Sequence, residues 1–239
     1  MRVSTPAIVL HAHKYGDTSL IVKLYTASSG IKSYMLRGVL TSKKGKTKAA
    51  YFQPLMQLEV VANHKQGNAL NSISEAKVLY PYASLHTNFT KSALVFFLSE
   101  VLYSVLREEE GNVPMFEYIV ALLQWLDMHD EVANFHIYFM LHLTRFLGFY
   151  PDDISEEASC FDLSEGMFLS KPISTQYVED QQLELFKMLL QTTPEALHEI
   201  KMSKVNRRDL LEKILVFYQL HLDGFRTPRS LKILTDLMG

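Results

Sequence analysis

The spacing of apolar residues changes once along this chain, at Tyr80-Pro81-Tyr82, and that change limits the folds open to it. Before it, apolar residues recur at every second position. Ser19–Thr26 puts Leu20, Val22 and Leu24 on one face and Ile21, Lys23 and Tyr25 on the other, the pattern of a strand with one covered face. Ala7–His13, Ile31–Val39, Leu55–Ala62 and Leu70–Leu79 read as strands as well. Their connections are Ala27-Ser28-Ser29-Gly30, a lysine-rich loop and a turn over Asn63–Asn68. The inner face of the third strand is open between Ile31/Met35 and Tyr34/Leu36. Five short strands with no helix between them are best satisfied by closing the sheet, because closure removes unpaired edges. A five-stranded OB-fold barrel is therefore the expectation for residues 1–80. Such barrels bind oligonucleotides on an open face and with their loops.

Pro81 biases Tyr80 away from helical angles, and beyond it the apolar period is about 3.6. Helices are expected over Ser84–Glu109, Pro114–Met128, Glu131–Leu147, Asp180–Gln191, Pro194–Ile200, Arg207–Asp223 and Pro228–Met238. Thr227 is placed as an N-cap with Pro228 in the first turn. Ile154–Pro172 is less regular, and Gly166–Leu169 reads as a short strand or turn. The fold class is multi-domain β + α: a barrel followed by an all-α domain over 81–239 whose apolar faces pack on one another.

Charge divides at the same place. Residues 1–80 hold eleven Lys/Arg and three Asp/Glu, a net of +8, whereas residues 81–239 hold thirteen and twenty-three, a net of −10. No acid occurs between Asp17 and Glu59, and seven cations do. The densest part is Leu36–Gln53, with Arg37, Lys43, Lys44, Lys46 and Lys48 around Gly38 and Gly45. Unopposed lysines on a loop suit a polyanion, since each phosphate contact releases condensed counterions. These five residues are the first candidates for DNA contact; Lys14, Lys23 and Lys32 are the second. A solvated loop whose lysines serve only solubility is the plain alternative. Tyr25, Tyr34, Tyr51 and Phe52 either stack on bases or pack the barrel.

Other chemistries find little support. Nine histidines include no His-Glu-x-x-His pattern, and His129, His136 and His142 do not share the spacing that aligns ligands on one helix face. Nucleophile elbows, Walker loops and dinucleotide fingerprints do not occur, so no catalytic residue is assigned. Glu108-Glu109-Glu110-Gly111 reads as a solvated helix end. Cys160 is the single cysteine, which rules out an intrachain disulfide and fits a reducing cytoplasm. The N-terminus does not read as a signal peptide, and the apolar runs Ala93–Leu106 and Val132–Tyr150 are too short or too polar for membrane spans. Two rivals to a DNA-binding module are an RNA-binding or ribosome-associated OB module and an enzyme housed in the helical half.

Taken in order, several segments resemble the RecO-type recombination mediators. They are Ala7–His11 with Asp17-Thr18-Ser19, Thr26 with Ser29-Gly30, Arg37-Gly38, Gln53-Pro54, Arg145-Phe146-Leu147-Gly148-Phe149, His221 to Gly224, and Arg229-Ser230-Leu231. The resemblance covers most of the chain through order and spacing rather than any single motif. It implies a barrel that binds single- and double-stranded DNA, annealing of complementary strands, and help to RecA on DNA coated by single-strand-binding protein, with RecR as partner. Many members carry a four-cysteine zinc site after the Leu-Gly helix end. Here Cys160 stands alone, so no zinc or other cofactor is expected and Gly166–Leu169 persists as a packed remnant. Some members carry arginines early in the preceding helix that dock the acidic tail of single-strand-binding protein. Here that half reads Phe135-His136-Ile137-Tyr138, leaving Arg145, Arg207 and Arg208 as substitutes for partner docking.

Overall fold

The computed structural model of the chain describes residues 1–41, 47–65, 70–106, 111–151 and 153–238. Five strands, β1 (Arg2–Tyr15), β2 (Ser19–Thr26), β3 (Gly30–Leu36), β4 (Gln57–Asn63) and β5 (Asn71–Val78), close into a barrel in the order β1-β2-β3-β5-β4. This is the five-stranded OB-type barrel. Closure comes from a short parallel pairing, Tyr34 with Asn71 and Met35 with Ser72. All other strand neighbours run antiparallel.

Register settles the face of β3. Val22 pairs with Tyr34 and Leu20 with Leu36, so the inward face of β2 carries Tyr34 and Leu36 with it, and both lie in the barrel core. The turn before β3 is built by Thr26, whose hydroxyl donates to Gly30 O at 2.8 Å and accepts from Ser29 N at 3.2 Å. Gly30 has φ +61° there, a conformation that suits glycine. β1 begins five residues earlier than its alternation suggests. It pairs with β4 through residues 2–8 and with β2 through residues 7–15. Pro6 sits near the crossover; it has no N–H to lose, and its carbonyl accepts from Ala27 N at 3.0 Å.

By contacts the chain forms two compact units, Met1–Asn88 with Leu98–Gln124, and Phe89–Phe97 with Trp125–Gly239. The first half of helix α1 (Phe89–Val105) and the last turn of α2 (Val113–Met128) thus belong with the second unit. In the first unit the outer barrel face bears Ile8, Tyr25 and Gln57, which share a side by register. Tyr25 is buried against Phe116, ring centroids 5.7 Å apart, and its hydroxyl donates to Asn112 O at 3.2 Å. Gln57, buried, donates to Tyr82 Oη at 2.8 Å and Val120 O at 3.3 Å and accepts from Gln124 Nε2 at 3.0 Å.

The second unit is organised on α3 (Phe135–Leu147), whose residues from Phe135 to Thr144 are all buried. It ends at Gly148, φ +86°, the left-handed close that favours glycine. Around it lie α4 (Asp180–Gln191), α5 (Lys204–His221) and α6 (Leu231–Met238). Tyr218 of α5 donates to Met140 O of α3 at 2.7 Å. The helical region also carries a three-stranded sheet of β6 (Cys160–Asp162), β7 (Met167–Leu169) and β8 (Tyr177–Glu179), ordered β7-β6-β8. Its organising group is Asp162. The fully buried carboxylate accepts five hydrogen bonds, from the backbone of Ser164, Glu165, Ile173 and Ser174 and from the Ser174 hydroxyl, at 2.7–3.2 Å. Burial pushes this carboxyl up, but the Ser174, Glu165 and Ile173 bonds together outweigh it and hold the group below the ordinary range.

Candidate nucleic-acid interface

The basic stretch is rooted firmly in the barrel. After β3 the chain turns at Arg37–Leu40 with Gly38 at φ +67°, and Leu40 N donates to Thr18 O of the β1–β2 hairpin at 3.0 Å. Val39 is buried in the barrel core. On the far side, a 3-10 turn at Ala49–Phe52 buries Phe52 in the same core. Leu55 N then donates to Val9 O at 2.7 Å, and Val9 N to Met56 O at 3.0 Å. Arg37 and Lys48 stand exposed at the two roots. Lys43, Lys44 and Lys46, with Gly45, lie outside the described residues.

The other lysines fall on different parts of the barrel. Lys14 is exposed, opposite Leu20 near the β1–β2 hairpin. Lys32 pairs with Leu24 and stands near His64, whose imidazole is lowered first by burial, then by Lys32 and the Met1 ammonium. Lys23 lies on the outer face with Nζ 4.9 Å from the Tyr103 ring centroid, within cation–π range. Among the described residues, Arg37, Lys14, Lys32 and Lys48 have no carboxylate within ion-pair distance. Four unopposed cations on a scaffold this closed give a positive field that attracts phosphate.

The aromatic candidates pack instead of stacking on bases. Tyr34 and Phe52 are core residues, Tyr25 is covered by Phe116, and Tyr51 packs partly against the core. Barrel packing is the role the sequence favours for these aromatics over base stacking, and the partner of Tyr25 comes from a distant segment.

In the second unit the expected docking arginines separate. Arg145 is exposed in the last turn of α3 with its guanidinium 4.3 Å from the Tyr150 ring centroid. The expectation of an exposed Arg207-Arg208 pair does not hold. Arg207 is buried, and it donates to Asn134 Oδ1 at 3.0 Å, Met238 O at 2.7 Å and Met202 O at 3.0 Å. It ties the start of α5 to the start of α3 and the end of α6, a structural task. Arg208 is exposed and pairs with Asp209 at 3.2 Å. Beside Arg207 is His136, fully buried, its pKa pushed down to about 3 by burial and then by the Arg207 charge. A groove of about 730 Å³ lies where α3 and α5 begin, with Lys201, Lys204, Asp130 and Glu131 on its walls. Between Lys201 and Lys204, Ser203 caps α5 by accepting from Asn206 N at 3.1 Å.

Among the described residues no group of three or more His, Cys, Asp or Glu is arranged to hold a metal. Cys160 is buried with its thiol raised by burial, then by Asp162 and Glu179. None of the helices in the described residues is long and apolar enough to cross a membrane.

Residues 1–82 match the family model described as Recombination protein O N terminal, and residues 86–231 the one described as Recombination protein O C terminal. The chain belongs to the RecO family. Over its whole length it is 46% identical to a DNA repair protein RecO of Christiangramia forsetii, with all of both chains covered. It is 40% identical to the protein of the same name in Flavobacterium psychrophilum, again over all of both chains. A Bacteroides fragilis relative, also called DNA repair protein RecO, is 37% identical over 99% of each. RecO proteins are DNA repair and recombination proteins, mediators rather than enzymes.

Proposed function

We propose that this chain captures single- and double-stranded DNA through its barrel and hands it to partner proteins in recombinational repair. Residues 1–80 act as the nucleic-acid-binding domain, with Arg37, Lys43, Lys44, Lys46 and Lys48 as principal phosphate contacts and Lys14, Lys23 and Lys32 as secondary ones. Residues 81–239 act as the docking domain for RecR and single-strand-binding protein, with Arg145 and Arg208 available at its surface. In this reading the protein anneals complementary strands and assists RecA on DNA coated by single-strand-binding protein. The work is done in the cytoplasm, on the nucleoid. The observation that carries the reading is the pair of exposed cations, Arg37 and Lys48, at the roots of a lysine-rich stretch braced by Val39 and Phe52. Anchoring Arg37 and Lys48 beside the core limits the ordering cost of contacts by these two residues, so such contacts add to affinity.

The test replaces Lys43, Lys44, Lys46 and Lys48 with alanine and measures oligonucleotide affinity against salt. Each lost single-strand phosphate contact flattens the log K against log salt slope by about 0.7, so four contacts remove roughly 3 units. An unchanged slope places the contact elsewhere. Matched RNA and DNA oligonucleotides competed in the same assay separate this reading from an RNA-binding one.

A further inference from the structure

The phase of β1 changes midway. Ala7 and Val9 point into the barrel core, but the pairing with β2 shifts register between Val9 and His11, and beyond the shift Ala12 packs on that core. Such a bulge re-aims the side chains that follow it. Here it turns His11 and His13 outward, onto the side that carries Lys23, and leaves both exposed. The His11 and His13 rings are 5.6 Å apart, and His11 is 5.7 Å from Tyr103 of α1, centroid to centroid. Tyr103 is 45% exposed and carries Lys23 Nζ at 4.9 Å from its centroid. Exposed Lys14 and Tyr15 continue the strand. Three cationic or protonatable groups interleaved with an exposed aromatic ring suit a phosphate chain with stacked bases.

We propose that this outer β1–β2 face, around His11, His13 and Tyr103, is a second nucleic-acid contact that strengthens as the His11 imidazole takes up a proton. The proposal rests on the DNA-binding reading above and adds residues outside the Leu36–Gln53 stretch. Burial first and then His13 hold His11 below the ordinary imidazole value; Glu100 of α1 opposes this and Lys23 adds to it. His11 is therefore mostly neutral in the free protein near neutral pH. A phosphate placed beside it favours the imidazolium, so binding takes up protons and affinity falls as pH rises. Glu100 is the acid that faces the site. It supports the imidazolium while repelling phosphate, which keeps this contact weak until the pH drops.

The experiment measures anisotropy of a labelled oligothymidine at constant ionic strength between pH 8 and 5.5. It uses the full chain, His11→Asn/His13→Asn, His11→Arg/His13→Arg and Tyr103→Leu, each checked for native unfolding. For the unsubstituted chain the salt slope steepens on acidification by about 0.7 as His11 gains its charge. The Asn pair removes that steepening, and the Arg pair binds tightly at both pH values. Tyr103→Leu weakens binding roughly tenfold throughout, a loss within the range of one stacked base. A pH profile for the Asn pair that superimposes on that of the unsubstituted chain overturns the proposal while DNA binding stands. No binding by the unsubstituted chain at any pH removes the underlying reading, and the proposal with it.

Discussion

Asp162 shows how much one side chain holds in the second unit. Its two oxygens gather the β6–β7 turn and the segment leading to β8 through five hydrogen bonds. Asp162→Asn keeps the shape but turns an NH2 toward two backbone donors. Leaving buried donors unpaired costs about 1–3 kcal/mol each, so the substitution destabilises by roughly 2–6 kcal/mol. The carboxyl is depressed in the folded state. Its stabilisation is therefore present above the unfolded value near 4 and is lost as pH falls through the folded one. Denaturant titrations of both proteins will show a gap that is constant at neutral pH and narrows in acid; a pH-independent gap refutes this role. The sequence marks Gly166–Leu169 as a short strand or turn but does not mark Asp162, because a lone aspartate between apolar residues has no local sign of its five partners. The burial of Arg207 is hidden for the same reason: its acceptors lie 5, 31 and 73 residues away.

Elements were legible where the information is local. The sequence predicts both ends of β2, because strict alternation between two turns leaves one choice of face and length. α3 was read to its true end, because Leu147-Gly148 closes a helix in a way few other pairs do. The sequence places its start at Glu131, four residues early; 133–134 form a turn in which Asn134 is engaged by Arg207 and Ile200. Just before α2, Gly111 makes a close approach that no periodicity reports. A Cβ on Gly111 would meet Ala27 O at 2.3 Å and Ser28 backbone atoms within 2.9 Å. Gly111→Ala forces the β2–β3 turn away and costs about 1–3 kcal/mol, as overpacking does. Equilibrium unfolding will detect it, with no loss if the close approach is not maintained.

Across the whole molecule, the break in periodicity at Tyr80-Pro81-Tyr82 and the division of compact units do not coincide. Leu98–Gln124 belongs with the barrel. A fragment ending at Tyr82 uncovers Tyr25 and strips Gln57 of its Val120 and Gln124 partners. Such a fragment will bind a hydrophobic dye and unfold without a sharp transition, whereas one extended through Met128 will unfold cooperatively; equal cooperativity of the two contradicts this. Charge, by contrast, is a sum that needs no fold to be counted. The +8 of residues 1–80 against the −10 of the remainder was available at once, and it points the phosphate-seeking role to the barrel.

Alternation, turn glycines and charge runs act over a few residues, so the strands, most helices, the barrel and its cationic stretch followed from the order of amino acids. The parallel closure of β3 on β5, the bulge that faces His11 outward, the burial of Arg207 and the packing of Phe116 on Tyr25 depend on residues brought together from far apart. Their energies come from desolvation and hydrogen-bond satisfaction among those distant groups, and only the folded chain assembles them.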